Sequence, residues 1–315
     1  MQRNKNIASY IRLFESGVLT EREWEARLNL HCCHLCPQKC GADRVEGKVG
    51  HCKNGILPSI ASYRVLYGDS RAIFGNRGSG AIEFLDYGSS EAVAEKFMHK
   101  SSGERVLCTE SELAAIMMMF QDSLCHNINL ISPTHFIPQI IGAVKEAVAM
   151  GLKIPIVYTT SGYERPETLH LLDRIADIYI VDFGMFYQRP NGLIYENLSD
   201  MPDFPDAVCN SLREMYRQTG DLVLDRQGIA KKGLLIKNPE IEGKKSGANE
   251  LFRDIASEIS GYSTICPING KNIKTPFKSL KPEYINNYKD SNFFTLHLPS
   301  ENFNDDLAFS ENFER

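Results

Sequence analysis

Five of the nine cysteines in this 315-residue chain lie between positions 32 and 52, in the run HCCHLCPQKCGADRVEGKVGHC. Cys33, Cys36, Cys40 and Cys52 are separated by two, three and eleven residues. A C-x2-C turn brings two thiolates to one ion from neighbouring backbone positions, and later cysteines complete a tetrahedral sulfur shell, the arrangement of a structural zinc site. The compact first three also suit an iron–sulfur cluster, because thiolate sulfur serves both. His31, His34 and His51 stand beside them as reserve donors, and Cys32 is a bystander because Cys33 makes the C-x2-C pair. Free thiols are the plain alternative, weakened by the Gln, Lys, Gly and Asp neighbours, which are not core residues. Cys108, Cys125, Cys209 and Cys266 stand singly in or beside apolar runs and read as small buried hydrophobes.

Such a cluster in a chain that keeps its thiols reduced points to metal or redox chemistry before disulfides. The remaining composition is that of an ordinary globular protein, 43% hydrophobic and 24% charged, with a net charge of −5 that offers no basic surface to a nucleic acid. No apolar run approaches the roughly 18 residues of a membrane span, and the first residues lack the apolar core of a signal peptide. The expectation is a cytoplasmic protein with neither nucleic-acid nor membrane partners.

Positioning these residues falls to three segments. Residues 1–58 read as a helical brace followed by the cysteine module: Ile7, Ile11 and Phe14 recur at helical spacing, and Thr20 with Glu23 has the form of a capping box opening a second helix. The module itself is rich in Gly and Pro and needs something other than a core to hold it, which a bound metal supplies. Across 59–270, strands are expected at 81–85, 127–131, 154–158, 178–181 and 234–237, with a weaker one at 263–267. Helices are expected at 91–98, 110–123, 137–150, 166–174, 206–219 and 249–260, and a long loop at 188–205. This alternation is that of βαβ units around a parallel sheet, and about six units make an α/β partial barrel. Residues 271–315 lose the rhythm and read as an irregular extension. The glycines of GNRGSG precede a strand and do not form a dinucleotide loop, and Met117 to Met119 read as helix core.

The ordered blocks CHLCPQKCGADRVEGKVGHC, GNRGSGAIEF, CHNINLISPTHFIPQI, IPIVYTTSGYERPETLHLLD, DIYIVDF and SLREMYRQTGDLVLDRQGIAKKGLL resemble the pyruvate formate-lyase-activating-enzyme-like branch of the radical S-adenosylmethionine superfamily. The resemblance runs from about Cys33 to Ile236 and implies the same partial (β/α) barrel. In that family a C-x3-C-x2-C loop after the first barrel strand holds a [4Fe–4S] cluster that chelates S-adenosylmethionine and cleaves it to a radical. Aligned without a gap, those three cysteine positions fall on Tyr87, Glu91 and Ala94, so the standard cluster is not expected. The segment SSEAVAEKFM, which includes Glu91 and Ala94, reads instead as a helix starting near Ser89 or Ser90. Arg71, Ala72, Thr159, Gly184 and Asn238 depart from the family pattern in the same direction.

Polar residues at the carboxyl ends of parallel strands converge on the site of such folds. Asn129, Ser132, Thr134, Tyr158, Thr159, Ser161 and Asp182 occupy those ends, and the resemblance implies that they line an S-adenosylmethionine and substrate cavity. Capping or turn closure is the plainer role for Ser132, Thr134 and Asp182, and His135 reads as a packed or hydrogen-bonded histidine before a metal ligand. The functional expectation is a degenerate, non-catalytic ligand-binding or regulatory paralogue with a zinc or iron–sulfur site at the cysteines. S-adenosylmethionine or another small molecule is its candidate ligand, and an active radical-S-adenosylmethionine paralogue or another protein its candidate partner. The alternative is an active enzyme with a relocated or atypical cluster.

Overall fold

The computed structural model describes residues 8–68, 70–85, 106–182 and 203–237. Tyr87, Glu91 and Ala94, Gly184, Asn238 and Cys266, the strand expected at 263–267, the helices at 91–98 and 249–260, most of the 188–205 loop and the 271–315 extension lie outside these residues.

Two short helices, α1 (Ser9–Glu15) and α2 (Val18–Arg27), precede the cysteine module. Then come β1 (Ser59–Leu66), α3 (Arg71–Phe74), β2 (Ser79–Phe84), β3 (Val106–Leu107), α4 (Glu110–Asp122) and β4 (Ile128–Ile131). The chain continues through α5 (Ile137–Met150), β5 (Ile156–Thr160), α6 (Pro166–His170), β6 (Ile178–Asp182), α7 (Phe204–Thr219), β7 (Val223–Leu224) and β8 (Ala230–Lys237). Among the described residues the strands form one eight-stranded open sheet in the order β3-β1-β2-β4-β5-β6-β8-β7. Its centre, from β2 to β8, is parallel, and β1, β3 and β7 are antiparallel additions at the edges. The architecture is thus α/β with a mostly parallel sheet, and among the described residues no helix is long and apolar enough to cross a membrane.

Side chains alternate between the two faces of a strand. Ile82, Leu130, Tyr158, Tyr179 and Leu234 stand side by side in register and pack with α1, α2, α4, α5 and α7 in the main core. The other face carries Val157, Ile178, Ile180 and Leu235, closed from one side by Ile73 of α3 in a smaller cluster. Gly80 is the second residue of β2, where a Cβ would lie 2.2 Å from the Phe120 ring, so α4 can sit directly on the strand.

The capping box lies elsewhere than expected. Thr20 is inside α2, whose N-cap is Gly17 in the left-handed region, and Glu23 instead binds Arg27 and Lys145. That ties α2 to α5, and Arg27 extends the network to Glu110 of α4 at 2.7 Å. The box that does form is Thr109 with Glu112 at the start of α4, where each side chain accepts from the other's backbone N–H at 3.2 and 2.7 Å. Met117 is core as expected, whereas Met119 is exposed.

The N-terminal brace is locked to the sheet by Asp177, which precedes β6. Its carboxylate accepts from the Ser9 N–H at 3.0 Å and the Ile156 N–H at 3.3 Å. Burial, opposed by those two bonds, pushes the Asp177 carboxyl up from 3.8 to about 6. Because the folded chain then holds this proton where the unfolded chain has released it, the contribution is greatest in acid. It falls as pH rises from 3.8 towards about 6, by about 3 kcal/mol at most. Urea unfolding of the wild type and of Asp177→Ala across that range should show the wild type losing this much relative to the variant. Parallel pH profiles would contradict it.

Candidate functional site

The cysteine module follows directly from the 3-10 turn Leu28–Leu30 and folds as a tight irregular loop. The Cys33 N–H donates to the Ala42 carbonyl at 3.1 Å and the Gly41 N–H returns to the Cys33 carbonyl at 2.9 Å. Between them the chain reverses at 36–39, with Lys39 and Gly41 in the left-handed region. Asp43 steers the next turn by accepting from the Val45 and Glu46 N–H groups, both at 3.1 Å. Cys40 is exposed and lies over Gly50, where a Cβ would stand 2.3 Å from its sulfur. The missing side chain of that glycine lets Cys40 approach the turn that carries Cys52.

Arg44 lies at the middle of the module. It is 1% exposed, and its Nη2 donates to Cys33 Sγ at 3.2 Å and to Cys52 Sγ at 3.6 Å. Its Nη1 donates to the backbone carbonyl of His135, on the turn after β4. No carboxylate pairs with this guanidinium among the described residues. Burial pushes the Cys33 thiol up; the Arg44 charge opposes this, and neighbouring Cys40 and Cys36 add to the rise. Cys52 is as deeply buried, yet the hydrogen bond and charge of His135, the Asn54 N–H and Arg44 outweigh burial and bring it down to about 7. Cys52 is therefore the group best able to carry the negative charge that a buried arginine requires.

The module is seated on the carboxyl end of the sheet. Arg165 donates to the His34 carbonyl, Gln139 to the Ile56 carbonyl, and Asn54 to the Leu85 carbonyl at 3.3 Å. Behind this seam stands Glu164, fully enclosed, whose Oε1 accepts from Thr134 and Thr160 at 2.6 Å and from Tyr158 at 3.2 Å. Burial pushes its carboxyl up, while the hydroxyl bonds and the charge of His135 oppose the shift.

Strand alternation divides the residues expected in one cavity. Asn129 and Thr159 face the side opposite the main core and bond each other at 2.7 Å. Asp182 shares that face and pairs with Lys237 at 3.6 Å, while Glu83 further along it accepts from Ser62 and meets Arg64 at 3.7 Å. Tyr158 faces the other way, packed edge-on against Tyr179 in the core, with its hydroxyl on Thr134 and Glu164. Thr134 thus serves the Glu164 cluster and caps no helix. Ser132 lies at the end of β4 with φ of 54°, its N–H on the Thr159 carbonyl, and Ser161 accepts from the Tyr163 N–H at 3.5 Å.

The donor set of Cys33, Cys36, Cys40 and Cys52 suits a soft ion, and Arg44 is placed beside two of the sulfurs, Cys33 and Cys52, where its charge can offset theirs. Even so, among the described residues no three His, Cys, Asp or Glu side chains are arranged to hold a metal ion. The fit is one of chemistry and proximity, without a closed shell. Cys32 turns away, its sulfur 3.9 Å from His34 Nε2, and Cys108 and Cys125 are buried.

Arg44, Glu164 and the contact between His135 and Cys52 were not singled out from the sequence. Arg44 was detectable in principle as a lone cation inside a thiol-rich loop. Glu164 carries no comparable signal, because its partners converge only through the sheet. Comparison with protein-family models, with curated proteins and with solved structures finds no match to this chain.

Proposed function

We propose that this chain is a radical-S-adenosylmethionine-like partial barrel that has given up cluster chemistry and works as a ligand-binding or regulatory protein. Its N-terminal module carries a structural thiolate metal centre, with zinc the favoured occupant. Cys33, Cys36, Cys40 and Cys52 would hold the ion, which supplies a cross-link where the module has almost no core of its own. The observation that carries the reading is Arg44: a buried guanidinium without a carboxylate partner, aimed at two sulfurs, calls for thiolates. The mostly parallel sheet supports the barrel assignment, and Tyr87, Glu91 and Ala94 at the three cluster positions support the loss of catalysis. Asn129, Thr159 and Asp182, sharing one strand face near its carboxyl end, are the residues offered to a small ligand such as S-adenosylmethionine.

Anaerobic purification followed by metal and sulfide analysis tests this directly. A colourless protein with a single zinc and no acid-labile sulfide is the expected result. About four irons and four sulfides per chain would favour the active-enzyme alternative with a relocated cluster. Titration calorimetry with S-adenosylmethionine then tests the ligand, with heat that Asn129→Ala and Thr159→Ala abolish as the expected outcome.

A further inference from the structure

Resting on the metal reading, we propose that Arg44 is a positioning residue that couples loading of the thiolate centre to its seat on the sheet. The two ends of its guanidinium do different things. Nη2 faces Cys33 and Cys52, which lie eleven and eight residues from Arg44 on either side and are brought together at this one nitrogen. Nη1 holds the His135 carbonyl, which belongs to the turn between β4 and α5. One buried fork therefore spans the seam between module and sheet.

Charge explains why the cation belongs there. Four thiolates around a divalent ion leave a net charge of −2, and burying that charge without compensation is costly. Donors to coordinating atoms from outside the shell also fix ligand orientation. Arg44 supplies one positive charge and two donors at the buried pair of sulfurs, the pair farthest from solvent. Cys36 is half-buried and Cys40 exposed, so water can compensate the other side. When the thiolates are engaged with an ion, the guanidinium is held between fixed sulfurs, and its second arm holds the His135 turn in place. Loss of the ion frees Cys33 and Cys52 to move, weakens that hold, and should be felt across the seam at residues 134–139.

Two substitutions separate the roles. Arg44→Lys keeps the charge but cannot span both sulfurs and the His135 carbonyl, since an ammonium is a point donor. Arg44→Gln keeps donors and removes the charge. Zinc affinity is read by chelator competition, cobalt(II) thiolate absorption reports the number of sulfurs engaged, and amide exchange at 134–139 reports the seat. The expected result is a zinc affinity lowered about 10- to 100-fold in Arg44→Gln and largely retained in Arg44→Lys. Exchange at 134–139 should rise in both variants, and in the wild type after chelation. Circular dichroism, unchanged in Arg44→Lys, controls for folding, and if Arg44→Gln does not fold the lysine variant and wild-type chelation still decide. Equal zinc affinity in all three proteins, or exchange at 134–139 that ignores both chelation and Arg44→Lys, overturns the coupling while leaving the metal site standing. A wild type that binds neither zinc nor cobalt overturns the metal reading and the coupling with it.

Discussion

Glu164→Ala should destabilise the chain by about 3–5 kcal/mol, because a buried acceptor shared by three hydroxyls is removed at once. Thr134, Thr160 and Tyr158 all converge on its Oε1, and Thr160 and Tyr158 are buried, so at least two of the three donors would be left without water. Glu164→Gln retains an oxygen in the same place and carries no charge to bury. Burial already pushes the native carboxyl up, but the amide NH2 takes the place of Oε2, which has no hydrogen-bond partner, so the amide should cost about 1–2 kcal/mol, still well short of the alanine variant. Denaturant unfolding of the two variants measures the difference, and equal losses would contradict the hydroxyl-acceptor account. The effect extends beyond stability. Glu164 fixes the turn between β5 and α6 from which Arg165 reaches the His34 carbonyl, so Glu164→Ala should also loosen the cysteine module. Faster alkylation of Cys33 and Cys52 in that variant is the expected accompaniment.

The parallel centre of the sheet was legible because its strands are short apolar runs and its helices obey the 3.6 period. The expected 137–150 helix is α5 residue for residue, and 110–123 differs from α4 by one position. The strand expected at 154–158 is β5, displaced to Ile156–Thr160. Apolar Ile154 drew the boundary forward, although Pro155 precedes a strand more naturally than it sits inside one. The edge strands were harder. β1 runs SIASYRVL with a mixed burial pattern, because an antiparallel strand near the edge of the sheet buries only part of its length, and β3 and β7 have two residues each. Thr20 and Glu23 illustrate the limit of a local motif: the same four-residue spacing that makes a box at Thr109 is overridden in α2 by an ion-pair network from α4 and α5.

The candidate site was legible in its donors and not in its arrangement. Cysteine spacing singles out Cys33, Cys36, Cys40 and Cys52 as candidates, but nothing in the spacing says that a guanidinium is buried against Cys33 and Cys52. Adjacent residues such as Tyr158 and Thr159 look alike as strand-end polar groups, yet alternation sends one into the core and the other to the opposite face. Their partners, Glu164 and Asn129, come from another loop and another strand, 6 and 30 residues away. Contacts of that kind follow from register, which short strands specify weakly until the whole sheet is assembled.

Register at the far side of the sheet depends on one glycine, and Gly233→Ala should be the most damaging small substitution in the β7–β8 hairpin. Gly233 lies within β8 opposite Ile178 of β6, with φ of 130°, a backbone conformation that an L side chain rarely takes. A Cβ there would lie 2.4 Å from Leu222 Cα and 2.6 Å from the Asp221 carbonyl, both backbone atoms that cannot rotate away. The close approach is used: the Gly233 N–H donates to the Asp177 carbonyl and the Leu234 N–H to the Gly220 carbonyl, each at 3.0 Å. Strain and clash together should cost about 3 kcal/mol or more. Gly228→Ala is the internal control, because its φ is 80° but open space surrounds the would-be Cβ. It should cost only about 1 kcal/mol from the left-handed backbone. Thermal unfolding of the two variants should therefore separate clearly, and a Gly233→Ala protein no less stable than Gly228→Ala would refute this packing. The loss should also reach the polar face, since β8 carries Lys237 to Asp182. If those ends hold a ligand, Gly233→Ala should weaken its binding even where the folded fraction is unchanged.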